Sequence, residues 1–186
     1  MCGIVGFIQK SYQLDKPLIL KMVNTLFHRG PDYSDYYISE SNRLFLGHTR
    51  LSIIDLKSTG NQPIFSNSGR YVIILNGEIY NYIALKDRLN TNFNDITWKG
   101  TSDTEVLINC IEKFGLIKTL DMVSGMFAFV LFDQKIKKLF LVKDRMGEKP
   151  LYYGFNNNKF YFGSELIAFE SDENFEKNID RTNLQY

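Results

Sequence analysis

The sequence predicts an α+β fold: two mainly antiparallel sheets packed face to face with helices outside, a four-layer αββα sandwich. Three observations predict it. Met126 to Phe132 and Val72 to Leu75 are apolar at both parities, whereas a half-buried strand would alternate, so these strands are covered on both faces. Their connections are short hairpins, which demand antiparallel neighbours. Segments with helix signatures lie between the strands and supply the outer layers.

The elements follow in order. "CGIVGFI" reads as a strand from Cys2 to Ile8. "LDKPLILKMVNTLF" reads as a helix with Asp15 as N-cap, Pro17 in its first turn and an apolar stripe through Met22 and Leu26. "HRGPD" breaks the chain, because Gly30 and Pro31 both oppose helix. "SDYYIS" and "RLFLGHTRLSIID" read as strands and "GNQPIFSNSG" as loop. "RYVIIL" is a strand that runs into "NGE", a tight-turn signal. "NYIALKDRLN" is helical, and so is "TSDTEVLINCIEKFG", where Ser102 and Glu105 form a capping box and Gly115 supplies the stop. "MFAFVLFD" with "KLFLVKD", and "LYYGF" with "KFYFG" around "NNN", read as two hairpins; "SELIAFE" is a short closing helix.

Composition narrows the function classes. The 186 residues are 44% apolar and 23% charged with a formal net charge of +1, ordinary for one globular domain. Nothing in that balance favours nucleic acid or an anionic membrane surface. Fifteen Phe and eleven Tyr suit β-rich packing. Two cysteines and two histidines make neither a disulfide framework nor a standard zinc site, and fit a reducing compartment. No apolar run reaches a membrane span, and Lys10 lies behind the first apolar stretch rather than ahead of it, unlike a signal peptide. The expected location is the cytoplasm.

The chemistry concentrates at the front, "MCGIVGF". Removal of Met1 leaves Cys2 with both a thiol and a free α-amine. A free thiol has a pKa near ~8.5 and an α-amine one of roughly 7.7–8.0, so one residue supplies nucleophile and base. Position alone does not separate this from a small apolar residue opening a core strand. Cys110 lies within a helix and reads as core. A Cys–His dyad with His28 or His48 is the other arrangement in principle.

"MCGIVGF", "HRGPD", "GHTRLSIIDL", "LNGEIYNY", "SDTEVL", "GMFAFVLFD", "DRMGEKPLYYG" and "FGSEL" occur in this order. Together they resemble the glutaminase domain of class II glutamine amidotransferases, in particular the glutamine-hydrolysing asparagine synthetases, from Cys2 to about Phe169. Each piece is weak alone; eight in order are specific. The resemblance implies the sandwich of N-terminal-nucleophile hydrolases and a site for L-glutamine. It implies Cys2 as nucleophile with its own amine as base. Asn76 and Gly77 would be oxyanion donors, Arg50 the grip on the substrate carboxylate, and Asp103 the acceptor for its ammonium. Glu78 and the chain around Leu51, Ile53 and Ile54 would line the pocket. The chemistry is coherent, since a zwitterion needs one cation and one anion at its head and a nucleophile at its amide. Blander roles exist: "NG" as a hairpin turn, Arg50 as a salt bridge, Asp103 as a complement to a helix dipole. Arg29 and Asp32 are expected to brace a loop, by default through a salt bridge. Glu148 stands where many asparagine synthetases carry an aliphatic residue, a departure that points to another acceptor such as a sugar or surface-polymer precursor.

The same resemblance divides the chain into residues 1–170, a glutaminase domain, and 171–186, the start of a link to a synthetase domain. That domain binds ATP and Mg²⁺ and carries a Ser-Gly-Gly-x-Asp-Ser loop that does not occur in these 186 residues. The glutaminase step itself is expected to need no metal or cofactor. The expected partners are L-glutamine, the C-terminal synthetase domain and, as a possibility for assembly, a second copy in a homodimer; no nucleic acid and no membrane are expected. A silent glutamine-binding or docking module is the rival reading.

Overall fold

In a computed structural model, which describes residues 1–11, 15–41 and 43–178, the first strand, β1 (Gly3–Gln9), lies in the middle of a five-stranded sheet. Its neighbours are β3 (Leu44–Arg50) and β9 (Lys159–Gly163), and the edges are β2 (Tyr33–Ser39) and β8 (Tyr152–Asn156). The second sheet runs β4 (Ile64–Phe65), β5 (Tyr71–Ile79), β6 (Gly125–Asp133), β7 (Lys138–Lys143). Every strand pairing is antiparallel.

Side-chain parity builds the layers. Ile4, Leu44, Leu46, Val72, Ile74, Ala128, Val130 and Phe162 come from both sheets and form one buried cluster, the inner core. The opposite parity of the first sheet, including Val5, Phe7 and Phe45, packs under α1 (Lys16–Thr25). Ile73, Leu75, Phe129 and Leu131 pack under α2 (Tyr82–Asn92) and α3 (Asp103–Phe114). This is the predicted αββα order. Burying each large apolar side chain contributes roughly 1.5–3 kcal/mol, which is why strands with two apolar faces settle between layers. The same parity carries Cys2, His48, Arg50 and Asn76 to the gap between the sheets, because they continue the even-numbered rows of Ile4, Leu46 and Ile74.

Local signals hold in most places. The Asp15 carboxylate accepts from Leu18 N–H at 3.3 Å, and the Ser102 hydroxyl accepts from Glu105 N–H at 3.2 Å. Only half of the capping box forms: Glu105 takes the N–H groups of Lys99 (2.7 Å) and Gly100 (3.0 Å), tying down the chain before the helix. Asn157 and Asn158, both at positive φ, make the two-residue turn of the β8–β9 hairpin. Leu14, at the front of the first predicted helix, lies outside the described residues.

Five expectations change. β3 stops at Arg50, because the following residues turn away to form a loop bound to its guanidinium. Ile64 and Phe65, expected as loop, pair with Ile73 and Val72. Leu116–Met122 is a further helix, α4. "NGE" is not a turn: β5 runs through it, with Gly77 opposite Phe127. "SELIAFE" winds as a 3-10 turn, Leu166–Ser171. Residues 171–178 run against the domain, with Phe175 on Tyr161 and Phe169, while the remainder of the expected link lies outside the described residues. Among the described residues no helix is long and apolar enough to cross a membrane.

Two predictions follow from the inner core. A Cβ on Gly77 would lie 2.2 Å from the Met126 carbonyl oxygen, at φ +153°. Gly77→Ala therefore lowers stability by about 2 kcal/mol or more in chemical denaturation, because backbone, not a flexible side chain, must move. His48 is fully buried and places Nε2 3.1 Å from the Leu75 carbonyl. Burial lowers its pKa from 6.5 to about 4 against the opposing hydrogen bond, with the Arg50 charge adding to the drop. Below pH 6.5 the unfolded chain takes a proton that the folded chain refuses, so stability falls as pH drops from 6.5 towards 4, by roughly 3 kcal/mol in all. His48→Gln, which keeps an N–H donor and does not titrate, flattens that part of the stability–pH curve relative to the parent.

Candidate active site

At one end of the gap between the sheets lies a cleft enclosing about 630 Å³ of space open to solvent. All nine residues expected at a site line it: Cys2, Arg50, Leu51, Ile53, Ile54, Asn76, Gly77, Glu78 and Asp103.

The Cys2 thiol sits on the chain just past β3. The Leu51 N–H points at Sγ from 3.5 Å, and the Leu51 carbonyl lies 3.7 Å away. Arg29 Nε donates to the Cys2 carbonyl at 3.0 Å and Nη1 to Glu165 at 2.6 Å, so the nucleophile candidate is fixed from both sides. The expected Arg29–Asp32 bridge does not form; Asp32 instead accepts from Ser52 N–H at 2.7 Å, holding the loop that follows Arg50. Burial raises the thiol pKa, and this outweighs the lowering by the Leu51 N–H, the N-terminal charge and Arg50; Asp103 adds to the rise. The thiol thus needs a base to become a nucleophile. Cys110, buried in α3, is pushed up to about 12 by burial and stays a thiol.

β5 supplies the polar wall through its backbone register. Phe127 N–H donates to Asp144 at 3.1 Å, and its carbonyl accepts from Asp144 N–H at 2.8 Å. Its partner Gly77 is therefore a non-hydrogen-bonded pair, and the Gly77 N–H faces away from β6. Short β4 leaves that side open. Gln62 fills one place, accepting from Leu75 N–H at 2.6 Å and donating to the Leu75 carbonyl at 3.4 Å. Asp103 fills another, accepting from Ile79 N–H at 2.8 Å. The Gly77 N–H lies between these two, turned towards the cleft.

Beside it is the Asn76 side chain, fully buried, with neither Nδ2 nor Oδ1 partnered among the described residues. An unpaired buried amide costs roughly 1–3 kcal/mol, so its survival beside a thiol calls for a ligand. Asp103 shows the matching anion. Burial raises its carboxyl most, the N–H groups of Ile79 and Thr104 pull it back, and the neighbouring Glu78 charge pushes it up again; the net direction is up. An incoming ammonium would relieve both causes of the rise.

Arg50 is buried in the cleft as expected, with an additional task. Nη1 donates to the Lys57 carbonyl (2.7 Å) and Asn61 Oδ1 (2.6 Å), and Nη2 to the Asp55 carbonyl. It anchors the 55–61 loop as well as charging the pocket. Gly60 is required there, since a Cβ would meet the guanidinium at 2.3 Å. Asp55 closes the loop by accepting from Thr101 N–H at 3.0 Å and Lys57 N–H at 2.9 Å.

Sequence reasoning missed Met1, Asp55, Gly60, Gln62, Met126 and Lys149 as cleft residues. "GNQPI" carried the only readable signal for Gly60 and Gln62. Lys149 sits in "DRMGEKP", which reads as a structural turn; Asp144 there does gather the N–H groups of Met146, Glu148 and Lys149. Neither histidine makes a dyad: His48 is sealed in the core, and His28 pairs with Glu165 at 3.1 Å. No cluster of metal-ligating side chains occurs among the described residues.

The chain has relatives among known proteins. The family described as "Glutamine amidotransferase domain" matches residues 1–186. The chain is 37% identical to asparagine synthetase [glutamine-hydrolyzing] 3 of Bacillus subtilis, over 99% of this chain and 30% of that protein. It is 36% identical to asparagine synthetase [glutamine-hydrolyzing] 2 of the same organism, over 92% of this chain and 22% of that protein. The chain thus spans less than a third of the length of either relative, each of which has a much larger remainder. Glutamine phosphoribosylpyrophosphate amidotransferase from B. subtilis superposes with a TM-score of 0.75 at 21% identity, over 91% of this chain and 43% of that one. That likeness places the sandwich in the N-terminal-nucleophile hydrolase fold. The chain belongs to the glutamine amidotransferase domain family, and is homologous to the glutaminase domains of asparagine synthetases.

Proposed function

We propose that this domain hydrolyses the side-chain amide of L-glutamine to glutamate and ammonia, with Cys2 as nucleophile once Met1 has been removed. The observation that carries the reading is the buried Asn76 amide, unpartnered among the described residues, beside the cleft-facing Gly77 N–H, in one pocket with the Cys2 thiol.

Asp103, with Glu78 beside it, receives the substrate ammonium, and Arg50 supplies the positive field for its carboxylate. The Cys2 amine, through a water, takes the thiol proton. Sulfur then bonds to the amide carbon, and the oxygen becomes an oxyanion held by Asn76 Nδ2 and Gly77 N–H. The carbon–nitrogen bond breaks, the amine returns the proton to the leaving group as ammonia departs, and a γ-glutamyl thioester remains. Water hydrolyses it and restores the thiol. This half-reaction uses no metal or organic cofactor.

The longer relatives support a destination for the ammonia: an ATP- and Mg²⁺-dependent synthetase domain that amidates a carboxylate acceptor, aspartate in the first instance. Two free thiols support the cytoplasm as the compartment.

Two tests bear on the reading. Asn76→Ala lowers kcat for glutamine hydrolysis by about 10²–10³-fold, the usual effect of losing one oxyanion donor. It leaves thermal stability unchanged or higher, because the amide gives up no described partner; a parallel loss of stability would make Asn76 a structural residue. A variant with one non-removable residue ahead of Cys2 binds glutamine but releases no ammonia. Undiminished ammonia release from it removes the amine from the mechanism.

A further inference from the structure

Lys149 lines the cleft, yet its side chain is nearly buried. Its backbone N–H is clamped to Asp144 Oδ2 at 3.2 Å, and its ammonium reaches Met1 Sδ at 3.0 Å. Among the described residues it is in ion-pair contact with no carboxylate. A thioether is a weak acceptor, and a buried ammonium so held gains little for the fold. The residue that holds it is the one whose removal creates the proposed catalytic amine. Excision of Met1 thus frees Lys149 and forms the Cys2 α-amine in the cleft that both residues line.

The charges around that amine come from several elements. Glu78 on β5, Asp103 at the head of α3 and Asp55 in the loop after β3 are anions lining the cleft; Arg50 on β3 and Lys149 are its cations. Arg29 and Glu165, next to the Cys2 carbonyl, form an ion pair and offset each other. Without Lys149 the cleft would hold three carboxylates against Arg50 alone. That field favours the protonated amine, which has no lone pair to take a proton.

We propose that Lys149 is a positioning residue for the reaction: its ammonium keeps the α-amine of processed Cys2 neutral and therefore basic at working pH. The proposal rests on the glutaminase reading above. It assigns Lys149 no contact with glutamine; its effect passes through the amine.

The test uses protein shown by intact mass to begin at Cys2, labelled with ¹³C-cysteine. Methyl-disulfide capping of the Cys2 thiol leaves the amine as the group titrating at that residue, and the Cys2 ¹³Cα shift is followed against pH. In Lys149→Met and Lys149→Gln the amine midpoint rises by about one pH unit relative to the parent, and Lys149→Arg restores it. In uncapped protein the acidic limb of kcat/KM for glutamine hydrolysis rises by the same amount, with KM little changed. An amine midpoint that stays put in whichever neutral variant folds overturns the proposal. Absence of glutamine hydrolysis in the processed parent instead overturns the glutaminase reading, and the amine titration still decides the role of Lys149.

Discussion

The cleft depends on the antiparallel pairing of β1 with β3. That pairing sets Gly3 opposite Thr49, so the next residue towards the chain start, Cys2, meets the chain just after Arg50. The Leu51 N–H then points at the Cys2 sulfur from 3.5 Å. Because β1 is a central strand, flanked by β3 and β9, the segment next to Cys2 is paired on both sides, where a chain end would ordinarily fray. Arg29 adds a bond to the Cys2 carbonyl from the 3-10 turn after α1. A nucleophile next to a terminus needs such a frame, since an error of about 1 Å at the reacting atom is costly.

The opposite wall is also a matter of backbone register. On β5 the odd-numbered N–H groups face the side that β4 leaves uncovered. Leu75 is satisfied by the Gln62 side chain and Ile79 by Asp103. Gly77, between them, keeps its donor towards the cleft. Asp144 enforces this from across the sheet by taking Phe127 N–H, and it also fixes the backbone of Lys149. Burial raises the Asp144 carboxyl, but the N–H groups of Glu148, Lys149, Phe127 and Gly147 outweigh it and hold it ionised below its ordinary value. The "DRMGEKP" turn is in this way coupled to the β5 wall of the cleft rather than only linking two strands.

Much of the fold was legible. Double-faced apolar strands implied layers, and the Ser102 cap and Gly115 stop bounded α3 to the residue. The site was legible where a motif is continuous, as in Cys2, Arg50 to Ile54, Asn76 to Glu78, and Asp103, all of which converge on the cleft. What stayed hidden depends on contacts between distant segments. "NG" reads locally as a turn, and only the approach of β6, where a Cβ at Gly77 would strike the Met126 carbonyl, explains the glycine inside a strand. Gln62 acts in place of a strand, which no periodicity announces. Lys149 looks like a turn residue until folding brings it against Met1, 148 positions away. Arg50 was readable as a pocket cation, but not as the anchor of its own following loop, because that role is set by the carbonyls of Asp55 and Lys57.

The central claim is that the sulfur of Cys2, and no other group, attacks the glutamine amide. Peptide mass mapping after incubation with a glutamine-shaped electrophile tests it directly. The account predicts one adduct per chain on Cys2, protection by L-glutamine, and an unmodified Cys110. Labelling at Cys110, or an adduct on Cys2 that glutamine does not prevent, would contradict it.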